Sequence, residues 1–492
     1  MKACFLSFCR CTTLLIVIVL SLPMITFGEE EKGQIQAIAQ EISRDLKNLR
    51  PLLQLRVLAS LGLAQARSED IFSAKFTFKE SLAHIPLDQE EWIKGNIETI
   101  MRSLFIIYRN QYIAGDRTGC EWTMKKSKEV CMEYGGNPGQ YPNCYDEMVI
   151  AQAQTGDHQS LKESLQILLN SFAPISSIKT EWHSQAALLP IANGLWNVGK
   201  NSEAENIIED FMKMGGQGSF WRKEISVLLA KLGKKDMAIH IFNEQKPGTS
   251  FQKLDQVKAL CRLAEGFRVG GNRGEARLIL GEAFSLLNSL RKEKLEFQEN
   301  GLPKVENFED TPFFPTLGLV PIGKLQAHLH EFAAAEQILE ETRSDFKDQI
   351  LFALLETQLE RGDVEESRKI AERMTWRSTD VMRTQIQFGD ITGAKLTMEK
   401  FIVDYNNLEW IKEHKKSLQT TEEHPEYHQN LRMIGAARAR IEELGPLLEW
   451  ARSQPSQELK IFALLGIAEG LVGIDNTICC MGYPYEPSPF RM

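Results

Sequence analysis

Nine cysteines in 492 residues are too sparse for a disulfide scaffold, the device of small exported folds that cannot bury a sufficient core. Basic residues are outnumbered, 57 Lys+Arg against 66 Asp+Glu. That balance gives no support for a nucleic-acid footprint, which needs a basic excess or stripe. C-x-x-C-H, G-x-S-x-G and H-E-x-x-H are all absent, which removes covalent haem, the serine-hydrolase elbow and the zincin helix from consideration. Scattered carboxylates on helices are ordinarily solvated faces, so the expectation is no catalytic residue, no cofactor and no metal. No segment reads as a sheet. After residue 28 no apolar run is long enough for a bilayer span.

The first 28 residues read as an export signal. Lys2 and Arg10 precede an apolar core, "TTLLIVIVLSLPMITF" (12–27), and Thr26 and Gly28 are the small residues of a cut before Glu29. Removal takes two bases and no acid, moving the formal charge from −9 to −11. The chain is thus expected to be exported, periplasmic, in the cell envelope or secreted, and at a membrane only if the signal is retained as an anchor.

Glycine recurs in a fixed setting. "VGKNSEAENII", "LGKKDMAIHIF", "GGNRGEARLIL", "RGDVEESRKIA" and "QFGDITGAKLTM" each place a small residue five positions after Gly199, Gly233, Gly271, Gly362 and Gly389, and an apolar or small residue four later. Gly115, followed by Cys120 and Met124, and Gly156 extend the series. His330 stands in the glycine position before Ala335, and a degenerate member lies near Ser68. Glycine ends one helix at positive φ, the polar residue after it caps the next, and the small residue lets two helices approach. Seven residues before the turn, Ala192, Ser226, Ala264 and Gly323 are small as well, whereas Val149, Leu355 and Met382 are not.

These features resemble the tetratricopeptide repeat, whose turn, alanine and bulky positions they share; spacings of 34, 38 and 27 residues separate Gly199 from Gly233, Gly233 from Gly271, and Gly362 from Gly389. The repeat's aromatic and proline signature is mostly missing. "VIAQAQTGD" and "WARSQPSQELKIFALLGIAEGLVG" also look like exported helical-repeat proteins of planctomycete bacteria, a resemblance that implies architecture and location and brings no catalytic activity. The fold class expected is all-α: a right-handed α-solenoid of antiparallel helix hairpins, divergent TPR-like repeats.

Along the chain this gives a signal peptide (1–28), divergent N-terminal hairpins with a Gly/Pro loop (29–144), repeats (145–295), an irregular connection (296–316), repeats (317–412), a polar linker (413–430), C-terminal helices (431–473) and a disordered tail (474–492) with Cys479 and Cys480. Cys131 and Cys144 could close the Gly/Pro loop, with Cys120–Cys144 as the rival pairing. Cys120 and Cys261 read as packing. "GLVPIGKL" (318–325) has P-loop spacing, but Leu325 stands where Ser or Thr would bind magnesium, and Gly323 already has a packing role. His424 and His428, near Glu422 and Glu423, read as a solvated linker rather than metal ligands.

Two functions of different class fit. The first is a non-enzymatic scaffold of the cell envelope that binds a protein or peptide on the concave face of the solenoid. Asn193, Trp196 and Asn197 in "NGLWN" are its candidate groove residues, against the plainer reading of Trp196 as inter-repeat core. The alternative is an exported polysaccharide lyase or hydrolase on a helical-hairpin toroid. Closure of the helices into a ring with converging Trp and Asp/Glu would favour it, and an open superhelix would count against it.

Overall fold

The computed structural model describes residues 29–47, 49–85, 90–134, 152, 161, 181–213, 219–244, 250–299, 314–374, 378–407 and 425–473. The described residues form helices throughout, with no strand. They are α1 (Glu29–Leu46), α2 (Pro51–Arg67), α3 (Ile71–Ala83), α4 (Glu90–Ile113), α5 (Arg117–Tyr134), α6 (Glu181–Asn197) and α7 (Asn201–Lys213). Next come α8 (Ser219–Lys231), α9 (Lys235–Asn243), α10 (Ser250–Val269), α11 (Arg273–Glu299), α12 (Phe314–His328), α13 (Phe332–Glu341) and α14 (Ser344–Glu360). The last are α15 (Val364–Arg373), α16 (Ser378–Gln387), α17 (Ile391–Asn407), α18 (Pro425–Ala439), α19 (Leu444–Arg452) and α20 (Gln457–Leu471).

The turn glycines do what their spacing predicts. Gly115, Gly199, Gly233, Gly271, Gly362 and Gly389 all have positive φ, as does His330, and Gly473 adds one more at the end of α20. At Gly389 the Asp390 N–H donates to the Gln385 carbonyl at 2.8 Å and the Gly389 N–H to that of Ile386 at 3.0 Å, the paired bonds that close a helix around a left-handed residue. Where the next residue is Asp, its side chain caps the following helix: Asp390 Oδ1 accepts from the Gly393 N–H at 2.9 Å, and Asp116 Oδ1 does the same for Gly119 at 3.1 Å, whereas Lys234 and Glu331 make no such bond. In the degenerate first member the left-handed residue is Glu69, one position after Ser68, because the geometry keeps its five-residue register to the buried Ala74.

The even-numbered helices pack on one another in sequence, and each odd-numbered helix packs on the even helix before it. The exception closes the molecule. No described helix follows α20, and its outer partner is α1, from the other end of the chain; α20 also packs on α2. A buried cluster spanning Ile35, Ile42, Leu58, Leu61, Leu464 and Ile467 seals that junction. The even layer therefore runs from α6 round to α20 and on to α2 and α4. Between α4 and α6, Gln152 bonds to Met124 of α5, and Leu161 sits in the core that contains Leu188 of α6. Contacts between odd helices are few, so the even helices form the more closely packed, inner layer. The first and last described helix pairs thus pack against each other.

The seam depends on glycine. A Cβ on Gly466 would overlap the Arg432 carbonyl, one on Gly470 would overlap that of Ala436, and one on Gly435 would lie 2.6 Å from the Ala463 oxygen. Across this close crossing of α18 and α20, Arg432 grips the buried Glu469, Nε to Oε2 at 2.7 Å, and donates to Ser60 of α2 at 3.0 Å. On the outside, Lys460 bridges Glu41 and Asp45 of α1 at 2.9 and 3.1 Å, and Arg452 pairs with Glu41 at 3.0 Å.

Three expectations from sequence change. α11 continues to Glu299, and α12 begins at Phe314, so helix enters the stretch expected to be irregular from both sides; Pro315 occupies the first turn, where its missing N–H costs no helical bond. α18 begins at Pro425, inside the stretch expected to be linker. His428 is only 5% exposed, stacked on Phe462 with ring centroids 4.6 Å apart and 3.2 Å from Glu458. It is not solvated, because α20 covers a face whose sequence neighbours are polar. The Cys131–Cys144 pairing, Cys479, Cys480, His424, Gly156, the signal and the tail lie outside the described residues or rest on them. Cys120 is buried with its Sγ 3.6 Å from the Tyr108 carbonyl. Cys261 is a free buried thiol whose pKa burial pushes up to about 12.

Gly466→Ala is expected to lower unfolding stability by about 2 kcal/mol or more, because neither backbone can withdraw. Gly445→Ala on α19, whose added Cβ meets nothing within 4 Å, should be neutral or stabilising by about 0.5–1 kcal/mol. Chemical denaturation of the two variants beside the parent checks both.

Candidate interaction face

Each even helix is buried on most sides, yet a polar stripe runs along the inner layer at one register. Two and six residues before the turn position stand Asn193 and Asn197 on α6, Lys324 and His328 on α12, and Glu356 and Glu360 on α14. Glu265 on α10 and Arg383 on α16 hold the earlier position, and Lys231 on α8 the later one. Residues four apart share a helix face, and packing of consecutive even helices aligns those faces into a band.

At one end of the band, Lys231 joins two of the candidate groove residues. Its Nζ donates to Asn193 Oδ1 at 2.7 Å and stands 4.9 Å above the Trp196 ring. The Trp196 indole donates back to the Lys231 carbonyl at 3.2 Å. Burial holds the Lys231 pKa below its ordinary value; Glu265 opposes the shift, Arg262 adds to it and Glu224 again opposes it. Asn197 is exposed beside them. Trp196 is half-buried and packs on the main core, so one ring serves both packing and the polar face. Next along, Arg262 clasps Glu224 with both arms, and Arg268 holds Glu265 through two bonds of 2.7 Å.

At the other end the carboxyls are less well compensated. The pKa of Glu356 is raised by burial and by Glu360, against Arg268, Lys324 and Arg383. His328 is driven down to about 4, chiefly by burial and against Glu265, with Arg268, Lys324 and His330 helping. This half of the face holds a neutral imidazole, a carboxyl whose pKa is raised and several cations. It suits recognition of mixed-charge groups more than binding of one ionic sign.

Spacing alone did not single out Lys231, Glu265, Arg268, His328, Glu356 or Glu360. A signal was present: charged side chains recurring two and six positions before the turn in helices otherwise apolar. A second signal was missed in the opening glycine series. Gln111 and Gln385, each four residues before the glycine, accept from Thr123 and Thr397 eight residues after it, at 2.7 and 2.9 Å. "QYIAGDRTGCEWTM" and "QIQFGDITGAKLTM" thus encode the same clamp within a helix pair.

Paired helices repeated in tandem define the class: this is an all-helical tandem-repeat protein. No protein-family description matches the chain, and no curated protein matches it. Among solved structures, a "circular tandem repeat protein with novel repeat topology and enhanced subunit contact surfaces" aligns over 90% of this chain and 89% of its own, at 13% identity and a TM-score of 0.20. At that score the likeness carries no weight, and the class rests on the helix pairs themselves.

Acidification tests the burial of His328. Its folded pKa lies below the unfolded value, so the unfolded chain binds the extra proton and stability falls as pH drops from 6.5 towards about 4. The loss is at most about 3 kcal/mol. His328→Gln should flatten the denaturation midpoint over that interval.

Proposed function

We propose that the protein is a non-enzymatic interaction scaffold, exported to the cell envelope, which holds a peptide or protein segment along the polar stripe of its inner helix layer. The repeats are taken as right-handed antiparallel hairpins of divergent tetratricopeptide type. The observation that carries this reading is the stripe itself: charged and amide side chains at one register on consecutive helices, with Trp196 beside them, where packing alone would favour apolar residues. An extended chain with alternating acidic, basic and aromatic groups matches Glu224–Arg262, Glu265–Arg268, Lys231–Trp196 and the Glu356–Glu360 pair.

One observation favours the second reading, an envelope polysaccharide lyase or hydrolase: the first and last described helices meet, and burial raises the pKa of Glu356, the direction a general acid needs. The described tryptophans do not gather around it: Trp196 stands on α6, Trp221 on α8, Trp122 on α5 and Trp450 on α19. The scaffold reading is therefore preferred.

Crosslinked capture from the native envelope fraction, followed by direct binding of the recovered partner, separates the two. The scaffold requires one reproducible partner whose affinity falls about tenfold or more in Lys231→Met and Trp196→Leu, as for loss of a central anchor. Glu356→Gln should change that affinity modestly and no turnover. Depolymerisation of an envelope polysaccharide that Glu356→Gln abolishes would reverse the preference.

A further inference from the structure

The outer layer carries an aromatic surface that internal packing leaves uncovered. α3 buries Ala74, Thr77, Phe78, Ser81 and Leu82 and turns its other face outward, with Phe72 86% and Phe76 66% exposed. These two rings are four residues apart and flanked by the exposed Lys75 and Lys79. Glu80, at the edge, is half-buried, and Lys75 reaches the buried Asp116 at 3.9 Å. The neighbouring outer helix α5, in contact with α3, exposes Trp122 to 49%. In a chain of net charge −9, the solvent face of α3 is aromatic and basic.

The path of the chain says what lies opposite. The apolar segment 12–27 ends two residues before Glu29, where α1 starts. Lys32 Nζ lies 2.9 Å from Glu69 Oε2, in the turn that leads into α3, three residues before Phe72. The apolar segment therefore joins the fold at the edge of the aromatic surface. A bilayer reached by that segment, during export or as a retained anchor, is within reach of α3.

We propose that the outer face of α3, with Trp122 of α5, docks on an anionic lipid bilayer. Phe72 and Phe76 enter the boundary between headgroups and acyl chains, while Lys75 and Lys79 meet lipid phosphates. Aromatic rings set beside lysines on one helix face are the arrangement that binds in the plane of a membrane interface. None of the described helices is long and apolar enough to cross a membrane, and the contact proposed for α3 lies in the plane of the interface. It is independent of the inner stripe.

The test uses the chain from Glu29 onward, which holds every described helix and every contact among them. It is sedimented with vesicles of phosphatidylcholine, alone or mixed equally with phosphatidylglycerol. Binding should favour the anionic vesicles and weaken with salt. Phe72→Ser and Phe76→Ser should each lower partitioning about tenfold, with the circular dichroism melt unchanged because both rings are solvent-facing. Lys75→Glu with Lys79→Glu should remove the preference for anionic lipid. The proposal fails if the parent sediments with neither vesicle, or if both serine variants bind as the parent does. It fails too if the parent binds no vesicle and is a dimer that the serine variants dissociate, which would assign the face to a second copy of this chain.

Discussion

Everything in this fold depends on one close crossing, that of α18 and α20, where three glycines let two backbones touch. A helical-repeat array left open exposes an unpaired face at each end, and terminal repeats ordinarily need polar caps. Here α20, the last described inner helix, takes α1 as its outer partner, and each end covers the other. Arg432, Glu469 and Ser60 join three helices at that point in a setting where a lone charge would be costly; breaking one partner of such a buried pair typically costs about 3–5 kcal/mol. Closure thus makes the stability of both termini a single quantity, unlike the nearest-neighbour sum of an open array.

Closure also changes what the inner layer can carry. Most even helices are packed on both sides by other even helices, and the charged positions recur on one of their remaining faces. Charges on that face are partly desolvated, and this burial is the leading cause of the depressed Lys231 and His328 and the raised Glu356. Their mutual pairing limits the penalty: Arg262 with Glu224, Arg268 with Glu265, Lys231 with Asn193. The result is a preorganised face at modest cost, and the clamp of Gln385, Asp390 and Thr397 holds α16 of that layer in register with its outer partner α17.

The turns were legible because their determinants are local. A left-handed residue, a capping side chain and a small residue five positions on all lie within one short phrase, so Gly199, Gly233, Gly271, Gly362 and Gly389 could be placed without knowledge of the rest. His330 could be placed as a substitute for the same reason. Asn193 and Trp196 were readable as an amide and an aromatic on one helix face. Their partner was not, since Lys231 arrives from the next inner helix and bonds through both Nζ and its carbonyl. His428 failed in the opposite direction: polar neighbours in sequence concealed a ring stacked on Phe462, thirty-four residues away.

By itself the sequence determined the helix pairs, their turns and the small residues that let them approach, because each depends on backbone conformation and sterics within about ten residues of a turn. Only the tertiary structure decided that the array closes, that α1 fills the place beside α20, and which charges share the inner stripe. Those outcomes rest on contacts such as Glu41 with Arg452 and Ser60 with Arg432, some four hundred residues apart. No local preference encodes such contacts; they follow from the summed rotation of repeats that brings the two ends together.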